Sequence, residues 1–228
     1  MLAFPITALF YIFEGTVALL YGIKSYYTFK ETRNEFHRLF FHLGIGVALA
    51  FYFYGFPNLL YPTRYNLSGV FYILSFIPLF WGLGEALKVT LLAWNYEDLE
   101  RFTSFLIPLF TVLFVIWHFS AIPAASIDEF GLIHWGVKAP YDIVQVLFGL
   151  LITLLPGLFL LLTDAPSKKA FYKKILFGLT FVLGGIGGYG VTLLDETFLP
   201  LLAAYLVEFI GFVFLSILFL IDIFMKEE

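Results

Sequence analysis

Three glutamates sit where a carboxylate is hardest to keep. Glu14, Glu85 and Glu208 each lie inside a long apolar run. An ionisable side chain at that depth in a bilayer is costly, and it usually faces a protein interior or a water-filled cavity. With 1.5 Å of rise per residue, all three fall within about 6 Å of the bilayer midplane, Glu85 towards the cytoplasmic side and Glu208 towards the outer side. A carboxylate held there is neutralised by a proton or by a bound cation, which is the chemistry of proton relays and ion-coupled carriers. The three residues are therefore read as a candidate ion or substrate site. The competing reading gives each a separate structural role, protonated and donating one hydrogen bond to a neighbouring helix.

Four further residues are secondary candidates. His42 lies about a turn and a half inside the cytoplasmic end of its apolar run, and His118 lies near the outer end of another. No two buried histidines share a level, so a bis-histidine haem is not expected, and His118 with Asp128, Glu129 or Asp142 shows no specific metal-ligand spacing. The histidines are read as hydrogen-bonded, and no metal or cofactor is predicted. Asp195 and Glu196 stand at the start of the last apolar run, where carboxylates suit a helix N-terminus by capping and by the dipole; an entry funnel for cations is the alternative. The chain has no cysteine, which removes thiolate metal and iron–sulfur sites. No nucleophile elbow, phosphate loop, HExxH or dinucleotide fingerprint is present, so no enzyme class is assigned.

The elements that must position these groups are helices. Of 228 residues 61% are hydrophobic and only 13% are charged, against roughly 25% charged in a soluble domain. The apolar residues fall in continuous runs of about 20, long enough to cross a hydrocarbon core of about 30 Å and lacking the alternation of barrel strands. The reading is an all-α polytopic membrane protein with seven transmembrane helices, at 3–23, 37–57, 69–93, 102–122, 140–163, 172–194 and 198–224. The connections leave no room for a second domain, so residues 1–228 form one unit. No basic region or small-residue cleavage site precedes the first run, which is read as a retained helix.

Orientation follows from Lys and Arg, which favour the cytoplasmic side. Eleven of the 13 fall on the odd-numbered connections, their flanks and the C-terminal tail, leaving Arg64 and Lys138 on the other side. Lys88 is counted with the eleven as a side chain snorkelling to that face. The N-terminus is thus expected outside, and the C-terminus in the cytoplasm, of a cell membrane. Tyr and Trp at the span ends, Trp135 and Tyr141 among them, read as interfacial anchors. The longest outer connection, 123–139, is expected to pack at the interface through Phe130–Trp135, with a lid over a site as the other reading. A net charge of −4 argues against a nucleic-acid partner.

Pro78, Pro108 and Pro156 interrupt three spans, and the sixth carries the run Gly184-Gly185-Ile186-Gly187-Gly188-Tyr189-Gly190. Proline is tolerated at membrane depth where protein or a cavity satisfies the freed carbonyl, and a glycine face admits a close neighbour or a hinge. Helices 2 and 3 can be laid over helices 6 and 7. Phe36–Phe41 then meets Tyr172–Phe177, and Tyr72–Pro78 meets Tyr205–Gly211. This gives possible repeats at 1–94 and 140–228 joined by helix 4 at 102–122.

Over its whole length this 3+1+3 pattern resembles the SWEET-type sugar transporters and their vitamin-transporting relatives. Seven helices with an outside N-terminus also resemble rhodopsin-like receptors and the seven-helix sensor regions of some histidine kinases. The Tyr21–Lys30 stretch leading into Gly44 and Gly46 is similar to those sensors. The likeness lies in topology: the Pro-Gln pair of the SWEET kind is missing, as is a mid-span lysine for a retinal Schiff base in the last helix. The resemblance implies sites near the midplane, between repeats.

The functional expectation is a small-solute or proton/cation-coupled transporter using Glu14, Glu85 and Glu208. The alternative is a receptor-like sensor, or a membrane subunit of a larger complex, signalling through a separate cytoplasmic partner. The bilayer, a small solute or cation, and a second copy of the chain or that partner protein are the expected companions.

Overall fold

In hydrocarbon a backbone amide finds no partner but its own chain, so continuous apolar runs become helices. The computed structural model describes residues 4–165, 167–195 and 197–224. It contains α1 (Ile6–Thr32), α2 (Glu35–Leu60), α3 (Tyr65–Ala93), α4 (Glu97–His118), α5 (Tyr141–Leu162), α6 (Lys168–Leu193) and α7 (Phe198–Phe224). All seven are long and apolar enough to cross a membrane, and the chain is an all-α, multi-pass membrane protein.

Every helix but α5 and α7 overruns its apolar run at one end or both. α1 continues to Thr32 rather than stopping at residue 23. Hydropathy marks where lipid ends, whereas a helix ends where its backbone turns. The turn comes at Arg33, in the left-handed region at φ 56°, after which the side chain of Asn34 accepts from the Phe36 amide (3.0 Å) and opens α2. Ser167 opens α6 in the same way, accepting from the Ala170 amide (3.1 Å). Glu97, Asp98 and Glu100 occupy the first turn of α4, where the dipole favours negative charge. Pro57, Pro78, Pro108 and Pro156 all lie inside helices that continue past them.

Six helices close into a ring in the order α1, α2, α3, α5, α6, α7, and back to α1. α4 rides outside it, against α3 and against Phe148 of α5, on which Phe110 stacks at 3.7 Å. Packing is dense within α1–α2–α3 and within α5–α6–α7, and thinner at the two seams, α3/α5 and α1/α7. Small residues set the dense contacts. Gly22 meets Gly44, Gly46 meets Gly82, and Gly187 meets the backbone of Glu208, each leaving no room for a Cβ. The glycine run of α6 serves both of its neighbours, since Gly185 abuts Thr153 of α5 while Gly184 and Gly187 abut α7.

The connection between α4 and α5 overturns its expected interfacial placement. It forms a small antiparallel hairpin, β1 (Ser126–Ile127) with β2 (Ile133–His134), and it turns into the bundle. Trp135 is only 1% exposed and Ile133 is wholly buried. Phe130, at the tip, stays exposed and packs on Phe198. An interfacial tryptophan and a plugging tryptophan look alike in sequence, and here the hairpin is anchored tightly enough to carry the ring inward.

Candidate functional site

A cavity of about 110 Å³ lies inside the six-helix ring, with walls from all six helices and from the hairpin. At the hairpin end the wall is aromatic and polar. Trp135 packs on Tyr72 (4.5 Å between ring centroids), Tyr54 (5.4 Å) and Tyr11 (6.3 Å). Beside them a buried network ties three helices together. Tyr72 donates to Gln145 Oε1 (2.9 Å), and Gln145 Nε2 donates to Thr192 Oγ1 (3.2 Å). This network bridges the α3/α5 seam.

Glu208 lines the cavity from α7 and is 4% exposed. Its carboxylate occupies the space that Gly188 leaves open; a Cβ there would come within 2.7 Å of Glu208 Oε1. Glu14, on α1, is 1% exposed and lies within electrostatic reach of Glu208 across the other seam. Glu14 Oε2 and Glu208 Oε2 are both buried with no hydrogen-bond partner. The Tyr11–Tyr205 (5.8 Å) and Phe10–Phe209 (5.0 Å) ring contacts hold the same seam together.

Of the three glutamates, Glu14 and Glu208 lie within electrostatic reach of each other, whereas Glu85 is paired elsewhere. Glu85 is buried among its own partners, with Lys88 Nζ 2.6 Å from Oε1 and His42 Nδ1 3.8 Å from Oε2. Lys88 folds back on Glu85, where a snorkelling side chain was expected. This ion pair neutralises the charge locally, which fits a structural role for Glu85 and His42. His118 is buried outside the cavity, stacked on Tyr141 (4.8 Å) and set among Phe76, Phe114 and Tyr72. Neither of its ring nitrogens makes a hydrogen bond of ordinary geometry. Among the described residues no cluster of three His, Asp or Glu is placed to hold a metal ion.

Asp195 corrects another expectation. Its carboxylate does not turn to the start of α7 but reaches the hairpin, where Oδ2 accepts from the Gly136 amide (2.6 Å). His134 Nδ1 sits 2.7 Å from the Asp195 carbonyl and 3.1 Å from Oδ1, so the ring N–H points to the carbonyl and Oδ1 contributes charge. The other nitrogen, Nε2, lies 3.3 Å from Asp128 Oδ2. Burial pulls the His134 pKa down, but these hydrogen bonds and the two carboxylates outweigh it, and the net shift is upward. Burial raises the Asp195 carboxyl despite its bonds to Gly136 and His134. Glu196 lies outside the described residues.

Further bonds fasten the hairpin to α1 and α7. The Thr7 hydroxyl donates to the Gly131 carbonyl (3.3 Å) and accepts from the Ile133 amide (3.1 Å). The Tyr205 hydroxyl donates to the Ile133 carbonyl (2.7 Å), and Trp135 Nε1 donates to the Tyr11 oxygen (3.3 Å). Gly131, at φ 83°, makes the tip possible, because a side chain there would strike the Phe4 carbonyl.

At the opposite, lysine-rich end, Tyr21, Phe40 and Phe177 pack together, with centroids 5.4 Å apart for Tyr21–Phe177 and 5.1 Å for Phe40–Phe177. Beyond them lies a second cavity of about 290 Å³, lined in part by Lys24, His37, Lys173 and Lys174. Tyr21 and Phe177 belong to the walls of both cavities. No family model, curated protein or solved structure matches this chain. The cavity residues that sequence reasoning missed are Tyr11, Tyr54, Tyr72, Gln145, Tyr189 and Thr192. Their one signal was a shared level, since all six helices of the ring carry a polar side chain in the half nearest the hairpin, Tyr205 being that of α7.

Proposed function

We propose that this protein is a small-solute carrier of the cell membrane, driven by exchange of protons at the Glu14–Glu208 pair. In this reading the hairpin faces outside and the lysine-rich end faces the cytoplasm, as the distribution of Lys and Arg supports. The observation that carries the reading is a cavity inside the ring that meets a buried acid pair where the two three-helix halves join.

Two buried carboxylates within electrostatic reach of each other repel when both are ionised. A proton or a cationic guest neutralises the pair, and its loss sets two like charges against each other across the α1/α7 seam. That repulsion loosens the contact along which two halves would rock, so occupancy of the pair is tied to the conformation of the ring. The hairpin with Trp135 closes one end, and Tyr21 with Phe40 and Phe177 stands across the other. Closure at both ends with a midplane site between is the arrangement that alternating access requires.

The test is proton movement in proteoliposomes that hold an entrapped pH dye, challenged with a panel of small amines, amino acids, sugars and carboxylates. Solute-dependent proton flux that is lost in the Glu14→Gln/Glu208→Gln double variant supports the carrier. Flux unaltered in that variant overturns the coupling role. Saturable binding without flux for any solute turns the reading to the receptor-like alternative, in which the same cavity senses rather than moves its ligand.

A further inference from the structure

We propose that the central cavity is a site for a small organic cation, a protonated or methylated amine of a few heavy atoms, held between Glu208 and the aromatic wall of Tyr11, Tyr54, Tyr72 and Trp135. This rests on the carrier reading for its purpose but not for its test.

Charge comes first. Among the described residues lining the cavity, Glu208 is the one acidic or basic side chain, and no Lys, Arg or His opposes it. Its Oε2 is buried without a partner, an unsatisfied acceptor in a place where an unmet polar atom is costly. An anionic guest would meet only repulsion there.

Shape and surface narrow the class. A cavity of about 110 Å³ is smaller than the roughly 150 Å³ pocket that takes one benzene. A sugar or nucleoside exceeds it, and a sugar would also demand more hydrogen-bonding groups than this largely apolar wall offers. A bare inorganic cation would need about six or more oxygen ligands or retained waters, whereas the wall is mostly carbon. Tyrosine and tryptophan rings attract a soft, weakly hydrated ammonium through their quadrupoles, Trp most strongly. Three of the four rings reach Trp135 within 6.3 Å, centroid to centroid, so they form one cluster at the hairpin end of the cavity. Gln145 and Thr192 add polar side chains to the same wall.

The guest and the proton then compete at Glu208, with Glu14 the second acid within its electrostatic reach. Binding of an ammonium to ionised Glu208 requires that its proton has left, and rebinding of the proton releases the ammonium. No other reactant is needed. The exchange this predicts is cation against proton in opposite directions.

Calorimetric titration of the purified full chain in detergent tests the site directly, with tetramethylammonium and methylammonium as probes and neopentane, the uncharged isostere of tetramethylammonium, and sodium chloride as comparisons. The expected result is saturable binding of a methylated ammonium, with the uncharged isostere at least about tenfold weaker. Glu208→Gln should weaken the ammonium by about tenfold or more, and Trp135→Leu should weaken it too, while Glu85→Gln, outside the cavity, leaves it unchanged. Tyr54→Leu, which removes one ring and leaves Glu208 in place, gives a second reading if Glu208→Gln does not fold, and it too should weaken the ammonium. Binding at least as tight for the neutral isostere, or for sodium alone, overturns the cation site. So does ammonium binding that is indifferent to both Glu208→Gln and Trp135→Leu. None of these failures touches the carrier reading, which stands or falls on proton flux with any solute.

Discussion

The two ends of the central cavity are closed by different chemistry. At one end a hairpin is fastened by directional bonds, from Thr7, Tyr205, Trp135 and the Asp195–His134–Asp128 group. At the other, three aromatic rings from α1, α2 and α6 rest on one another. Ring contacts are non-directional, and they yield to a rotation about one or two side-chain bonds. A hydrogen-bonded lid must break several bonds together. The ring partition is therefore the readier gate and the hairpin the slower one, so the resting protein should admit solutes from the lysine-rich end.

The strongest way to break that comparison is Phe177→Ala. Removing a ring shared by both cavities costs about 3–5 kcal/mol of packing in a well-filled core, and it should join the two cavities into one. The chain has no cysteine, so a Thr180→Cys reporter in the cavity wall can be labelled alone. Its reaction with a membrane-impermeant maleimide from the lysine-rich side should rise by about tenfold in the Phe177→Ala background. An unchanged rate would mean that the partition lies elsewhere.

Next in size is Asp195→Ala, which strips the Gly136 amide of its acceptor and His134 of a neighbouring charge. About 2–3 kcal/mol of hairpin docking should be lost. Protection factors of the 126–136 amides in hydrogen exchange report it, and those of α2 should not move.

A smaller effect comes from pH. The folded-state pKa of His134 is raised above its ordinary 6.5, so its contribution is fully present below about pH 6.5 and is lost as pH rises through the shifted value. The raised Asp195 carboxyl has the same sign, its contribution falling away as pH climbs above its ordinary 3.8 and through the folded value. Hairpin protection, corrected for intrinsic exchange, should therefore weaken towards alkaline pH, and His134→Gln should flatten the alkaline part of the profile. A profile unaltered in His134→Gln removes the histidine from the latch.

Smallest is Gly188→Ala. The added methyl meets the free end of the Glu208 side chain, which can swing aside, so stability should change by no more than about 1 kcal/mol while the pH midpoint of proton flux moves. Gly187→Ala is the contrasting case, because its methyl meets backbone and should destabilise the α6/α7 packing outright.

The seven helices were legible because each apolar run is long and continuous, and the buried acids because a glutamate inside such a run is conspicuous. Which acids meet was not legible. Axial depth follows from counting residues, but facing follows from how each helix is rotated in the ring, and that is set by contacts such as Gly187 on α7 that no single segment encodes. Lys88 shows the limit well. A lysine three residues after Glu85 was as compatible with snorkelling as with an i,i+3 ion pair, and only the packing of α2, with His42 beside the carboxylate, chose between them. Asp195 reads as a helix cap until the hairpin arrives from sixty residues away to claim it.

α4 lies outside the ring, and this gives it the part of a strap rather than a stave. The cavity walls come from the helices on either side of it, so cutting the chain in the turn around Asn95 should leave a vessel that two separately made pieces can rebuild. A carrier assembled that way would show that its halves recognise each other through their own seams.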